Sequence, residues 1–334
     1  MHRVIRGRWG PYERVQLFPM KYLLRLVLVA VVSCAVFFVA GVVATWAPDR
    51  SVDKLAARWA PAPSSWLDVG GMRVHVRDEG PRSDPHPIVL LHGTSASLHT
   101  WDGWAAALQG QRRVIRFDLP GFGLTGPHPA NDYSMAAYVQ CVTQVLDALG
   151  VKTVVLAGNS LGGQIAWATA VAQPRRVSQL ILVDSAGYPL VSQSVPIGFQ
   201  MARWPVARDL MEYVLPRGVV QSSLRNVYGD PGKVTPALVD RYYELTLRTG
   251  NRAALRYRFE QGVSGDTEAL KTLKIPSLVI WGAQDRLIPL ENAHKFVRDL
   301  PNARLVVFDD LGHVPHEEAP GRTVDAVRAF LNIV

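Results

Sequence analysis

A serine between glycines is the first residue in this chain whose setting suggests chemistry. The apolar run Val154–Ala157 leads into Gly158-Asn159-Ser160-Leu161-Gly162, and a helix-forming run follows. A strand, a tight turn and a helix in that order put the serine at the apex of a nucleophile elbow. An apex residue at strained backbone angles is tolerated only if Gly158 and Gly162 bring no Cβ into the turn. A serine hydroxyl is a weak nucleophile near neutral pH, so it needs a base, an acid to orient that base, and donors for an oxyanion. Asp285, in Gly282-Ala283-Gln284-Asp285, and His313, in Gly312-His313, each follow directly on an apolar strand. They stand in the order serine, aspartate, histidine, and both fall at C-terminal strand ends, where open α/β sheets carry their sites. The oxyanion donors are expected to be main-chain N–H groups. Leu161 offers one at the helix start, and Thr94, after His92-Gly93, offers the other, with Ser95 as its alternative.

Other residues compete for these roles. Asp184 also follows a strand and is a second candidate for the acid, although capping the next turn is the commoner fate of such a residue. His316 and His294 rival His313, but both read as exposed helical or loop residues. His92 reads as a structural histidine beneath the oxyanion loop. Asp118 reads as a brace for the Pro120–Gly123 loop. The bland alternative for the elbow is a glycine-rich turn with a surface serine, and the placement of Asp285 and His313 argues against it.

The elements that must hold these residues alternate between strand and helix. Trp66–Val69 and Met72–Val76 flank Gly70-Gly71 and predict a hairpin. Pro87–Leu91, Arg113–Phe117, Val154–Ala157 and Gln179–Val183 are short apolar strands of the kind buried in a parallel sheet. A helix capped by Ser134 runs to Leu149, and Gly150 ends it. The alternation breaks from Ala186 to about Gly265, where the helical windows are Phe199–Tyr213, Pro236–Arg248 and Arg252–Gly262. Arginines are frequent there, among them Arg203, Arg208, Arg241 and Arg258. Alternation resumes with the strand Ser277–Trp281, a helix around Ala293–Leu300, the strand Arg304–Phe308 and a helix Thr323–Leu331. The division expected is a basic leader (1–25), an apolar anchor (26–47), a linker (48–64), a core (65–185 and 266–334) and a helical cap (186–265). Within the linker, Leu55 and Trp59 lie either on a membrane surface or on the domain.

The chain has 334 residues and a formal net charge of +8. Six basic residues (Arg3, Arg6, Arg8, Arg14, Lys21 and Arg25) against Glu13 give +5 up to residue 47, leaving +3 for the rest. The body has no basic cluster interleaved with aromatics, which argues against a nucleic-acid partner. Leu26–Ala47 is an uncharged run of 22 residues, long enough as a helix to cross the roughly 30 Å of a bilayer core. Basic residues precede it and Pro48, Asp49 and Asp53 follow, so the N-terminus is expected in the cytoplasm and the body outside it. A cleaved signal peptide is the rival reading. The run is longer than such signals, and Pro48 would hinder cleavage after Ala47, so an uncleaved anchor is favoured. Cys34 lies in the apolar run and Cys141 in a helix of the body, which predicts no disulfide.

Taken together, His92-Gly93-Thr94, Asp118-x-Pro120-Gly121-x-Gly123, the elbow with Gly163, Gly282-x-x-Asp285 and Gly312-His313 resemble the α/β-hydrolase superfamily over about residues 65–333. The resemblance implies an eight-stranded, mostly parallel sheet with a helical cap domain, here preceded by one transmembrane helix. It also implies acyl transfer in two steps, through an acyl-enzyme on Ser160 and water activated by His313. A serine at the elbow argues against the dehalogenase and epoxide-hydrolase branches, which carry aspartate there. Asn159 is similar to the elbow of carbon–carbon bond hydrolases of aromatic ring cleavage, whereas Val314 replaces the tryptophan usual after their histidine. The monoacylglycerol-lipase and carboxylesterase branch is the better match for an anchored serine hydrolase. The expectation is a membrane-anchored hydrolase of lipophilic carboxylic esters, with a small ester or lipid as partner, no metal or organic cofactor, and activity that falls in acid. Carbon–carbon hydrolysis is the enzymatic alternative, acyl transfer to another acceptor is open to the same triad, and a non-catalytic binding module is the alternative outside enzymes.

Overall fold

The structure, a computed structural model, describes residues 20–189, 192–201, 204, 209–262 and 265–333. The leader residues Arg3, Arg6, Arg8, Glu13 and Arg14, and Arg203 and Arg208 of the insert, lie outside the described residues, as does part of the Phe199–Tyr213 window. The chain divides into two compact units, Met1–Thr45 and Trp46–Val334.

The described part of the first unit is one helix, α1 (Met20–Ala44), with no buried residue. It starts before the uncharged run and stops at Ala44, short of Ala47. In the second unit Ala47 is already committed elsewhere: it is buried against Leu215 and Leu247 and donates its N–H to Tyr213 O at 3.0 Å.

The second unit is built on eight strands: β1 (Ser64–Val69), β2 (Met72–Glu79), β3 (Ile88–Leu91), β4 (Val114–Phe117), β5 (Val154–Asn159), β6 (Val177–Val183), β7 (Ser277–Gly282) and β8 (Ala303–Phe308). They lie in the order β1-β2-β4-β3-β5-β6-β7-β8. β2 runs antiparallel to both of its neighbours, and the other pairs are parallel. The hairpin turns through Gly70 and Gly71 at φ 56° and 74°, angles that favour glycine. β3, β5 and β7 are buried along their whole length, as their continuous apolar runs require.

Alternation along those strands feeds two cores. Val89, Leu91, Leu156 and Val279 face α4 (Met135–Ala148), α5 (Leu161–Ala172) and α10 (Glu291–Asp299) through Val142, Ile165 and Phe296. Ile88, Leu90, Val155 and Leu278 face α3 (Asp102–Leu108) and α12 (Pro320–Leu331) through Trp104, Leu108 and Val327. Ser134 caps α4 by accepting from Ala137 N at 3.2 Å.

Between β6 and β7 come α6 (Ile197–Met201), α7 (Arg217–Val227), α8 (Pro236–Thr246) and α9 (Asn251–Gln261). α7 was not among the expected helical windows. Residues 46–59 are bonded across this insert. Arg50 N donates to Leu247 O at 2.7 Å, Asp49 accepts from Gly250 N at 3.0 Å, and the α2 helix (Val52–Trp59) buries Leu55 against Leu124 and Leu245. Trp59 donates its indole N–H to Glu244 at 2.7 Å, so the two linker residues whose place was open dock on the domain.

Candidate active site

β5 delivers Ser160 to the C-terminal edge of the sheet, and α5 begins at the next residue. Ser160 sits at φ 54°, ψ −118°, a strained conformation for a residue with a side chain. Glycines make that turn feasible. A Cβ on Gly158 would stand 2.1 Å from Gly162 O, and one on Gly162 would stand 2.2 Å from Leu91 O. The apex is tied down through its backbone, with Ser160 N donating to Val183 O at 3.1 Å and Ser160 O accepting from Ala186 N at 3.0 Å.

His313 follows β8 and Asp285 follows β7, and the structure brings them together. His313 Nδ1 lies 2.6 Å from Asp285 Oδ2, and both side chains are buried. Asp285 Oδ1 accepts from Leu287 N at 2.8 Å and Ile288 N at 3.0 Å, which fixes the carboxylate. With the Nδ1 proton directed at Asp285, the neutral ring offers its Nε2 lone pair as acceptor. Ser160, His313, Thr94 and Leu161 all line one cavity of about 580 Å³. Its other walls are chiefly apolar, with Phe199, Leu215, Leu224, Leu255 and Phe259 among them. Among the described residues, neither Leu161 N–H nor Thr94 N–H is taken by another group. The arrangement has the parts for attack on a carbonyl: a hydroxyl, a ring nitrogen, a fixed carboxylate and two free N–H donors, Leu161 at a helix N-terminus and Thr94 in the loop after β3.

A family model for the α/β hydrolase fold matches residues 86–320. The chain is an α/β hydrolase. It is 31% identical over 273 residues to a 2-hydroxymuconate semialdehyde hydrolase of Pseudomonas putida, covering 79% of this chain and 92% of the relative. Among solved structures it is similar to a meta-cleavage product hydrolase of Pseudomonas fluorescens, with TM-score 0.70, 26% identity and coverage of 80% and 97% of the two chains. It is also similar in fold to a bacterial membrane phospholipase A, with TM-score 0.70, 24% identity and coverage of 94% and 98%.

The competing residues of this hydrolase fall elsewhere. His92 is wholly buried and structural: its Nδ1 is 2.8 Å from Gly93 O, its Nε2 accepts from Leu119 N at 2.9 Å, and burial pushes its pKa down. Asp118 accepts from Leu98 N, Leu124 N and His75, bracing the loop as expected. His294 is exposed on α10. His316 corrects an expectation. It is fully buried in α11 (Pro315–Glu318), 3.1 Å from Thr100 Oγ1 and tilted against the Trp101 ring with centroids 4.0 Å apart, because the proline-led turn folds it inward. Burial, reinforced by the neighbouring His313 ring and the Arg241 guanidinium, holds it well below the usual histidine range.

Two supporting residues were not anticipated from sequence. Asn159 Nδ2 donates to His313 O at 2.9 Å and Val183 O at 3.1 Å, so it joins the elbow to the histidine loop. Buried Glu318 accepts from Gly229 N, Asp230 N and Gly312 N at 2.8–2.9 Å, tying that loop to the end of α7. An acidic residue five positions after the histidine was the available signal, but two of its three partners lie in the insert. Asp184, Asp285 and His313 each bring a ligating atom within 4.8 Å of the others. Two of those atoms are already engaged with each other, so the cluster is a hydrogen-bonded pair with a second carboxyl beside it.

Proposed function

We propose that this α/β hydrolase cleaves carboxylic esters with an apolar acyl or alcohol part, using Ser160, His313 and Asp285 as its triad. The observation that carries the reading is the His313–Asp285 pair and the strained serine opening into one largely apolar cavity. Ser160 Oγ attacks the ester carbonyl while His313 Nε2 takes its proton, and Asp285 stabilises the imidazolium. The Leu161 and Thr94 amides hold the oxyanion. Collapse breaks the ester bond, and His313 returns the proton to the leaving alkoxide. Water then gives its proton to His313 as it attacks the acyl-enzyme, and His313 passes that proton to Ser160 Oγ as the Oγ–acyl bond breaks and the acid leaves. Residues 186–265 act as the cap over a core of 65–185 and 266–334. The apolar helix is the membrane anchor, with the catalytic unit outside the cytoplasm. Protease added to intact cells should then degrade the catalytic unit, and full protection would refute the orientation.

A panel of p-nitrophenyl esters, amides and lipids tests the chemistry, with fluorophosphonate labelling that Ser160→Ala abolishes. Labelling that survives the substitution sinks the nucleophile assignment. A second reading, carbon–carbon bond hydrolysis, is favoured by the likeness to the 2-hydroxymuconate semialdehyde hydrolase. A vinylogous diketone turned over faster than every ester in the panel would select it. Either reaction uses the same elbow and base.

A further inference from the structure

Asp184 lies beside the triad proposed above and has no task in it. It follows β6, which pairs with β7, the strand that leads to Asp285. Its side chain is fully buried, and its backbone is held at φ 43°, in the left-handed region. Oδ1 accepts from Gly282 N, the last residue of β7, at 3.0 Å. Oδ2 is buried with no donor to accept from among the described residues. A polar atom of Asp184 comes within 4.8 Å of Asp285 and of His313.

Two carboxylates this close in a buried site do not both stay ionised. Hydrogen-bond counts favour Asp184 as the one that carries the proton. Asp285 accepts from Leu287 N, Ile288 N and His313, three donors that favour its charged form. Asp184 accepts from one. Burial, and then the Asp285 charge, push the Asp184 carboxyl well above the usual carboxylate range, and the acidic Glu318 of α11 acts in the same direction. Two acceptors facing one another satisfy neither, whereas one proton between them satisfies both.

We propose that Asp184 is a protonated positioning residue, whose carboxylic O–H donates to Asp285 and holds that carboxylate against His313 Nδ1. The proposal rests on the reading of Ser160, His313 and Asp285 as the triad. Asparagine should reproduce a neutral acid here, with Oδ1 for Gly282 N and an N–H for Asp285. Leucine keeps the shape and supplies neither.

The test uses the full chain in nanodiscs. Asp184→Leu should lower kcat about tenfold or more, the cost of a lost buried hydrogen bond, with KM within about twofold. Asp184→Asn should recover kcat to within about threefold of wild type, with the acid limb of the pH profile unmoved. A limb displaced to lower pH by about a unit or more in Asp184→Asn would mean that the native side chain is an anion, and would overturn the proposal. Equal damage from asparagine and leucine would also overturn it. A second measurement is independent of turnover and of any folding defect in the leucine variant. Infrared difference spectra of wild type against Asp184→Asn, with labelled aspartate, should show one protonated carboxyl lost at neutral pH. A wild type without that band refutes the proposal even if Ser160 proves to be the nucleophile. A band that is present while Ser160→Ala keeps full activity would leave the carboxyl pair standing and remove the triad.

Discussion

Among the described residues two serine–histidine–aspartate sets can be compared, and in bonding alone the one around His75 is the more complete. Ser64 Oγ lies 2.9 Å from His75 Nε2, and His75 Nδ1 lies 2.8 Å from Asp118 Oδ2. Ser64 also accepts from Arg77 Nε at 3.0 Å. Ser160, by contrast, makes no side-chain hydrogen bond among the described residues, while His313 and Asp285 pair at 2.6 Å. The settings differ more than the bonds do. Ser64 opens an edge strand, and neither it nor His75 nor Asp118 lines the cavity that Ser160 and His313 share. Ser160 has a strained apex, free N–H groups beside it and room for a substrate. Connectivity makes a brace. A nucleophile needs an unsatisfied hydroxyl facing space, and its hydrogen bond to the base can tighten when substrate binds.

The most direct way to break this comparison is to truncate both serines. Ser160→Ala should lower kcat on an activated ester by at least about 10⁴-fold, as removing a triad nucleophile does elsewhere. Ser64→Ala should leave kcat within about threefold. Fluorophosphonate labelling of Ser64, or an equal loss of rate in both variants, would erase the distinction.

The two aspartates sharpen it next. Asp285→Asn should cost roughly 10³–10⁴-fold in kcat, since an amide cannot stabilise the imidazolium and favours the wrong tautomer. Asp118 answers to stability instead. Burial alone would raise its carboxyl, but the His75 charge and hydrogen bond, with His92 and His99 beyond, hold it well below the usual range. Asp118→Asn should therefore lower unfolding free energy by about 3–5 kcal/mol, the cost of breaking a buried pair. Urea melts check this, and a stability within 1 kcal/mol of wild type, by the same order of estimate, would contradict the brace.

How far the two sets could be read beforehand follows from where their information lies. The elbow was legible because Gly158, Ser160 and Gly162 are local, and because Asp285 and His313 each end an apolar strand. The sheet was legible for the same reason, through short buried runs. The brace was only half legible: Asp118 stood out as a loop residue, but Ser64 and His75 look like ordinary strand residues until the hairpin sets them beside it. His316 looked exposed because its partners Thr100 and Trp101 come from a distant part of the chain. α7 escaped notice because its window begins Arg217-Gly218 and carries serine, glutamine and arginine, and its apolar face declares itself only against Tyr228, Val234 and Val239.

The brace should also show in the pH dependence of stability. His99, beside His75, is bonded through Nδ1 to Ser97 Oγ and through Nε2 to Trp59 O. Burial lowers its pKa to about 4. The folded state thus resists a proton that the unfolded chain accepts near pH 6.5. Its contribution is complete above that value and is lost as pH falls toward 4, amounting to roughly 3 kcal/mol. Tm should fall across that window, and His99→Gln should flatten the fall. A wild-type Tm that stays level from pH 6.5 to 4 would count against a buried neutral His99.

The smallest effect expected is at Thr94, and its smallness is informative. The proposed oxyanion donor there is the main-chain N–H, which every residue except proline retains. Thr94→Ala should accordingly change kcat by no more than about threefold, against the 10²–10³ that a lost oxyanion donor costs. The substitution leaves the apolar walls of the cavity in place, so KM on a short ester should also hold steady. A hundredfold fall in Thr94→Ala, with Tm unchanged, would assign the oxyanion contact to the threonine hydroxyl. The hole would then depend on a rotatable side chain, as the Ser64 brace does, and the contrast between a preorganised site and a bonded scaffold would narrow to the strain at Ser160.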